Sequence, residues 1–253
     1  MNKKVKGFNT TFSFQVSEHS KVCSYHADPS FSLKHHKSCA VHGGDGFAFV
    51  MHRDTVMNTL IDKKQYDGEG YTAIGKDGDN LGYGGIYNSL AVEFDMWTNV
   101  PSQDSDDFFY DHISIHSAGS SSANSPGKIT SLGYARAVDL ADGKIHHVQI
   151  AYFPYFVERY ISKMSANENL VPYLKDNGEG RRLGTLAIFI DDGLDTGVPI
   201  LAIPLNLSVL LKLPEDLAYV GFTASTGSKW ENHDILRWNW CDNFNSEVAK
   251  EVL

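Results

Sequence analysis

The segment Glu93-Phe94-Asp95-Met96-Trp97-Thr98-Asn99, with Asp107 and His112 beyond it, decides how this chain is read. Side chains on an extended segment alternate between two faces. Glu93, Asp95, Trp97 and Asn99 therefore share one side, and Phe94 and Met96 the other. Such a strand sends its apolar face into a core and carries oxygen donors on its outer face. Hard oxygen ligands suit Ca2+ and Mn2+, and the imidazole of His112 adds a nitrogen donor that suits a transition metal. Asp45, in the turn Gly43-Gly44-Asp45-Gly46, is a further carboxylate placed earlier in the chain. The set points to a metal-supported binding site rather than a reaction centre.

Outward from that strand, strand signals dominate. Phe8 to Val16 alternates apolar and polar residues, as a half-buried strand does. Gly46 to Met51, Ser89 to Trp97, His112 to His116, His146 to Tyr152, Leu186 to Ile190, Ala218 to Ala224 and Ile235 to Trp240 are the other predicted strands. Many short strands separated by Gly, Asp and Asn turns predict an all-β fold, an antiparallel β-sandwich or jelly roll. Two stretches interrupt the rhythm. Leu60 to Gly85 is glycine-rich and reads as a loop lining a site. Phe153 to Arg182 reads as an insertion covering one edge of the sandwich. Within it Phe156, Tyr160 and Met164 recur at i, i+4, which suits a short helix or a packed hairpin.

The 253 residues predict one large domain, residues 1–245, with Ser246 to Leu253 as a tail. Hydrophobic residues make up 42 % and charged residues 21 %, the balance of a globular protein. The formal net charge of −9 argues against nucleic acid or an anionic membrane as partner. No membrane insertion is expected, because the most apolar stretch, Val198 to Leu211, is broken by Pro199, Pro204 and Asn206. Met1 to Lys6 is basic, but no apolar core follows it, so it is not a signal peptide as written. Cys23 and Cys39 flank a His-rich segment and are a candidate disulfide, with three unrelated thiols as the alternative; Cys241 is left over. His26, His35, His36 and His42 match no standard zinc spacing and read as a solvated loop. Asn9-Thr10-Thr11 and Asn206-Leu207-Ser208 match the N-glycosylation pattern, which in a strand-rich chain arises by coincidence.

Several blocks, in order, resemble the L-type (legume-lectin-like) carbohydrate-binding domain of the concanavalin A-like family. They are Phe8 to Val16, Gly43 to Phe49, Leu81 to Asp95, Asp142 to Val148, Leu186 to Asp191, Tyr219 to Gly227 and His233 to Trp238. The resemblance implies a legume-lectin-like jelly roll that lacks the first family strands and carries the insertion at 153–182. It implies glycan binding without catalysis, dependent on Ca2+ and on Mn2+ or another transition metal. The implied calcium ligands are Asp95, the backbone carbonyl of Trp97, Asn99 and Asp107. The implied transition-metal ligands are Glu93, Asp95, Asp107 and His112, with Asp95 and Asp107 bridging both ions. Asp104 and Asp106 compete with Asp107 for its place.

The sugar site carries over in the same way. Asp45 would accept hydrogen bonds from two sugar hydroxyls, and the Gly82 N–H would donate one. Asn99 would face calcium and sugar at once, and Trp97 would offer its ring to the apolar side of the sugar. Ser228 and Lys229 fall in the loop that tunes monosaccharide preference. The implied partners are glycans or glycoproteins, with the mannose/glucose type among them; assembly into a homo-oligomer is left open. The implied location is extracellular or in the secretory pathway.

Two rival functions remain. A glycoside hydrolase on a related jelly roll needs two carboxylates, about 5–5.5 Å apart for retention. The β-glucanase-type strand places its second Glu two or three positions after the Asp, where this chain has Trp97 and Thr98. The chain is therefore read as not an enzyme. A scaffold or adhesion module that has lost sugar binding is the other rival, opposed by Asp45, Gly82 and Asn99.

Overall fold

Alternating segments become paired strands here because each buries one face and can hydrogen-bond on both edges. The computed structural model describes residues 7–27, 35–53, 74–97, 111–137, 139–165, 167–175, 183–213, 217–227 and 229–244, with the backbone alone for 22–27, 35–42, 243 and 244. The strands are β1 (Gly7–Ser17), β2 (Ser20–Ala27), β3 (His35–His42), β4 (Gly46–His52), β5 (Ser89–Asp95), β6 (His112–His116), β7 (Ser131–Arg136), β8 (Ile145–Phe153), β9 (Gly184–Ile190), β10 (Leu201–Leu205), β11 (Tyr219–Ser225) and β12 (Asn232–Phe244). A back sheet runs β10-β9-β8-β1-β12 and a front sheet β11-β4-β5-β6-β7, while β2 and β3 form a separate hairpin. All strand pairs in the two sheets are antiparallel. The fold is the expected antiparallel sandwich.

The core lies between the sheets. Phe12, Phe14 and Val16 of β1 face Phe47, Phe49, Val92 and Phe94 of the front sheet, all essentially inaccessible. Phe47 and Phe94 sit directly opposite on β4 and β5 and stack at 4.7 Å, and Phe14 meets Phe47 edge-on at 4.9 Å. Burying each such ring contributes about 1.5–3 kcal/mol. This aromatic cluster fixes the register of β4 against β5, and so decides what the outer face presents one residue further on.

The sequence reading located most of these strands within a few residues and did not single out β7 and β10. Pro204 lies within β10, which is tolerated because β10 is the outermost strand of its sheet, where β9 is its one neighbouring strand. The segment containing His26, His35, His36 and His42 was read as a loop, and its backbone instead forms the β2–β3 hairpin. There Cys23 is the direct register partner of Cys39. The side chains of those cysteines and histidines lie outside the described residues. So do Ser246 to Leu253.

The 153–182 insertion does more than cover an edge. Its 3-10 helix Glu158–Lys163 lays Val157 and Tyr160 over Ala151, Phe153, Ala187, Phe189 and Ala202, on the outer face of the back sheet. A 3-10 helix has three residues per turn, so Val157 and Tyr160 share its buried side while Phe156 is exposed, against the i, i+4 reading. Beyond it, Met164 bridges to Ala202 on β10, and Leu170 of the 3-10 helix Glu168–Tyr173 is buried in the main core. That part closes the edge as expected. Neither glycosylation match looks usable. Asn206 is buried and donates to the Lys175 carbonyl, and Asn9 accepts from Gln149 within the sheet.

Candidate functional site

The outer face of the front sheet carries the donors. Because Phe94 and Phe47 point inward, Glu93 and Asp95 point outward from β5, with Glu93 opposite Ser114 and Asp95 opposite His112 on β6. Glu93, Asp95 and His112 are all buried, and one ligand atom from each lies within 4.8 Å of the others. Glu93 Oε1 is 3.5 Å from His112 Nε2 and 3.8 Å from His116 Nε2. Ser114 Oγ donates to the same oxygen at 3.2 Å, and Tyr83 donates its hydroxyl to Glu93 Oε2 at 2.5 Å. Burial pulls the Glu93 carboxyl up, but His116, His112 and the Tyr83 hydroxyl together hold it below the ordinary carboxylate range. Burial beside that carboxylate pushes the Tyr83 phenol well above its usual value, so it remains a donor.

Tyr83 arrives from the loop 74–87, whose Leu81, Tyr83 and Ile86 pack on Ala48, Val50 and Ala91. The expectation that this glycine-rich region lines the site therefore holds for its described part. Small residues on the outer face of β4 and β5 leave room for the loop, and the loop covers the polar cluster.

Two buried carboxylates and a histidine within one donor's reach of each other fit a dication better than an apolar packing role. Uncompensated, they would leave negative charge in a dry setting. Asp95 and His112 come together as predicted. Asn99, Asp104, Asp106, Asp107 and Ser228 lie outside the described residues.

The turn before β4 supplies Asp45. The Gly44–Asp45 peptide is cis. The Asp45 N–H donates to the Ser225 carbonyl and its carbonyl accepts from Met96, which ties the turn to β11 and to the end of β5. Trp97 lies against Gly44, since a Cβ at Gly44 would be 3.2 Å from the Trp97 Cβ. The Trp97 N–H in turn donates to Asp95 Oδ1 at 2.7 Å. Asp45, Trp97 and the donor triad are thus neighbours. Asp45 is buried, and its Oδ2 has no hydrogen-bond partner among the described residues. Burial, with the carboxylates of Asp79 and Glu231 adding and His233 opposing, pushes Asp45 up to about 6.

Behind the turn stands a buried carboxylate. Glu231 binds His19 at 2.9 Å and His233 at 3.0 Å. A Cβ at Gly43 would fall 1.6 Å from Glu231 Oε2, so only glycine fits there. Lys229 is half-buried, and its carbonyl accepts from the Gly227 N–H beside Asp45.

Gly82 lies against Ala224 at the end of β11, but its N–H is donated to the Lys76 carbonyl at 2.9 Å rather than left for a ligand. The part of the loop tied to Asp45 is Gly78. Ser225 donates its hydroxyl to the Gly78 carbonyl, while its own carbonyl takes the Asp45 N–H. Gly78, Asp79, Tyr83, Ser114 and His116 are the residues that sequence reasoning missed here. The alternation His112-Ile113-Ser114-Ile115-His116 was a usable signal for two of them.

The legume lectin domain family model matches residues 1–252, and the chain belongs to that family. Among solved structures, it is similar to the lectin from Bauhinia forficata in complex with GalNAc, at 18 % identity and a TM-score of 0.50, covering 95 % of this chain and 74 % of that one. The exoplasmic/lumenal domain of VIP36, in its Ca2+/Man3GlcNAc-bound form, is similar at 17 % identity and a TM-score of 0.49, covering 94 % of this chain and 70 % of that one. The comparison with curated protein sequences gives no match.

Proposed function

We propose that the protein binds glycans reversibly, without chemistry, at the end of the front sheet where Asp45, Trp97 and the Glu93–Asp95–His112 triad meet. The observation that carries this reading is the orphaned Asp45 Oδ2, a buried acceptor with no protein partner beside a half-buried tryptophan. A buried acceptor left unsatisfied is costly, and sugar hydroxyls would satisfy it. The membership of the chain in the legume lectin domain family, and its similarity to the Bauhinia forficata lectin in complex with GalNAc, support the same reading.

The residues that would hold the ions are Glu93, Asp95 and His112 together with Asp107, Asn99 and the Trp97 carbonyl. The ions, Ca2+ and Mn2+ or another transition metal, would neutralise the buried carboxylates and brace the Asp45–Trp97 neighbourhood. Asp45 accepts from the sugar, Trp97 presents its ring, and Gly82, Ser228 and Lys229 shape the rim. The lectin unit spans residues 1–245, in an extracellular or secretory-pathway setting, and mannose- or glucose-type glycans are the first partners to test. The absence of a carboxylate at Trp97 and Thr98 supports binding over hydrolysis.

Titration calorimetry with mannose, glucose, galactose and N-acetylgalactosamine, in calcium and in EDTA, tests the reading. Binding of at least one sugar in calcium that disappears in EDTA is expected. Binding untouched by EDTA removes the metal from the mechanism, and no binding to any glycan in calcium favours the scaffold reading.

A further inference from the structure

A second polar cluster lies on the back sheet, where the turn before β8 meets the end of β9. Asp139, Asp142, Lys144, His146 and Asp191 line one open pocket there. His146 is the buried member, 4 % exposed, with its ring stacked on Phe14 at 5.1 Å. Its Nδ1 is 2.7 Å from Asp191 Oδ2, and the other Asp191 oxygen accepts the His147 N–H, so the ring cannot turn freely. The opposite nitrogen, Nε2, is buried and makes no hydrogen bond, although Asp142 Oδ1 is only 3.2 Å away. Asp142 Oδ1 also accepts the Lys144 N–H, and Oδ2 holds the Lys144 ammonium at 2.5 Å on a side chain that is 79 % exposed.

This arrangement sets two acceptors against each other. With the Nδ1 proton given to Asp191, Nε2 presents a lone pair to a carboxylate oxygen. Such a pair is favourable only with a proton or a cation between them, and the contact lacks the geometry of a hydrogen bond. A histidine whose far nitrogen is held by a carboxylate is the usual metal-ligating form, since that bond fixes tautomer and ring orientation. Donors 3.2 Å apart with metal bonds of about 2.0–2.1 Å subtend an angle of about 100°, within reach of a four-coordinate ion.

We propose that this pocket is a second divalent-cation site, for a transition metal of the zinc type. His146 Nε2 and Asp142 Oδ1 are its ligands, Asp139 lines the same pocket, and Asp191 is the positioning residue. Bound there, a cation ties the β7–β8 turn to the start of β8, independently of the front-sheet donors.

Equilibrium dialysis against Zn2+ decides it, comparing the unmodified chain with Asp142→Asn and His146→Gln. All three keep Glu93, Asp95 and His112, so the difference isolates the back-sheet pocket. Each variant is expected to bind one Zn2+ fewer per chain, and Asp191→Asn to retain that ion with affinity lowered about 10–100-fold. Co2+ should give a visible spectrum whose histidine-dependent part vanishes in His146→Gln. Asp142 lies at the surface, so Asp142→Asn stays informative even where His146→Gln fails to fold. Equal Zn2+ stoichiometry in the unmodified chain and Asp142→Asn overturns the proposal. Glycan affinity is expected to be the same in both, which separates this test from the lectin reading.

Discussion

Each sheet of this sandwich has an outer face covered by an added segment, and each cover brings in a tyrosine. On the front sheet the loop 74–87 packs Leu81, Tyr83 and Ile86 over Ala48, Val50 and Ala91. On the back sheet the helix Glu158–Lys163 packs Tyr160 over Ala151, Phe153, Ala187, Phe189 and Ala202. The rings play the same packing part, and the hydroxyls do not. Tyr83 donates into a buried cluster of Glu93, Ser114, His112 and His116, whereas the Tyr160 hydroxyl accepts from Arg159, whose guanidinium also lies 4.9 Å from its ring. One cover seals a polar site and the other extends the apolar core. The difference arises at single outward positions of β5 and β6, where Glu93, Asp95, His112 and His116 stand in place of alanines.

The comparison breaks first at Asp95, the carboxylate that joins the Glu93–Asp95–His112 cluster to the Trp97 backbone. Asp95→Asn should lower Mn2+ and Ca2+ affinity by more than about 100-fold, beyond what a supporting residue accounts for, as read by metal titration. No change would leave the front face as structural as the back one. Asp45→Asn comes next. Losing the charged acceptor proposed for two sugar hydroxyls, at about 1.5–3 kcal/mol each, should weaken glycan binding by more than about 100-fold while the melting temperature does not fall. A large drop in Tm would instead make Asp45 a structural residue.

Acidification tests the same carboxylate without mutation. Asp45 is raised from 3.8 to about 6, so its ionised form, the proposed acceptor for the sugar, is depleted below that value. Glycan affinity should fall about tenfold between pH 7 and pH 5 in titration experiments. Stability runs the other way. The contribution from a raised carboxyl is complete below its unfolded value and is lost as pH rises through about 6. The sugar-free, metal-free protein should therefore be stabilised by this group on acidification across that window, and Asp45→Asn should remove that component from a Tm-versus-pH series.

The two tyrosines give the smallest effects and the sharpest contrast. Tyr83→Phe removes the hydroxyl donor of Glu93 Oε2 and leaves Ser114 on the other oxygen, and should cost about 1–3 kcal/mol in denaturant unfolding. Tyr160→Phe frees only an exposed arginine and should stay within about 0.5 kcal/mol. Equal losses at both positions would mean that the front cluster is no more demanding than the back one.

Much of the front site was legible because period-2 alternation is a local signal. Glu93, Asp95 and His112 announced a common face, and the apolar Phe94 and Ile113 between them announced the core. The i, i+4 recurrence of Phe156, Tyr160 and Met164 misses the period of the helix in the insertion, because three such residues are too few to tell an α-helix from the 3-10 helix that buries Val157 and Tyr160 at i, i+3. Gly82 was assigned an N–H role that the Lys76 carbonyl occupies, since backbone partners within an irregular loop leave no sequence pattern. His146 passed as an ordinary strand residue, because its significance comes from Asp142 and Asp191 on other segments.

By itself the sequence determined which residues alternate, and through that the all-β class, the inward aromatic face and the outward carboxylates of β5. Those follow from the two-residue repeat of an extended chain, a property each segment carries alone. The tertiary structure decided which outward residues became a site. It paired β5 with β6, laid Tyr83 over the result, and brought Asp45 to Trp97 through contacts with β11. Such contacts join segments far apart in the chain, where only the packing of the whole sandwich sets the distance.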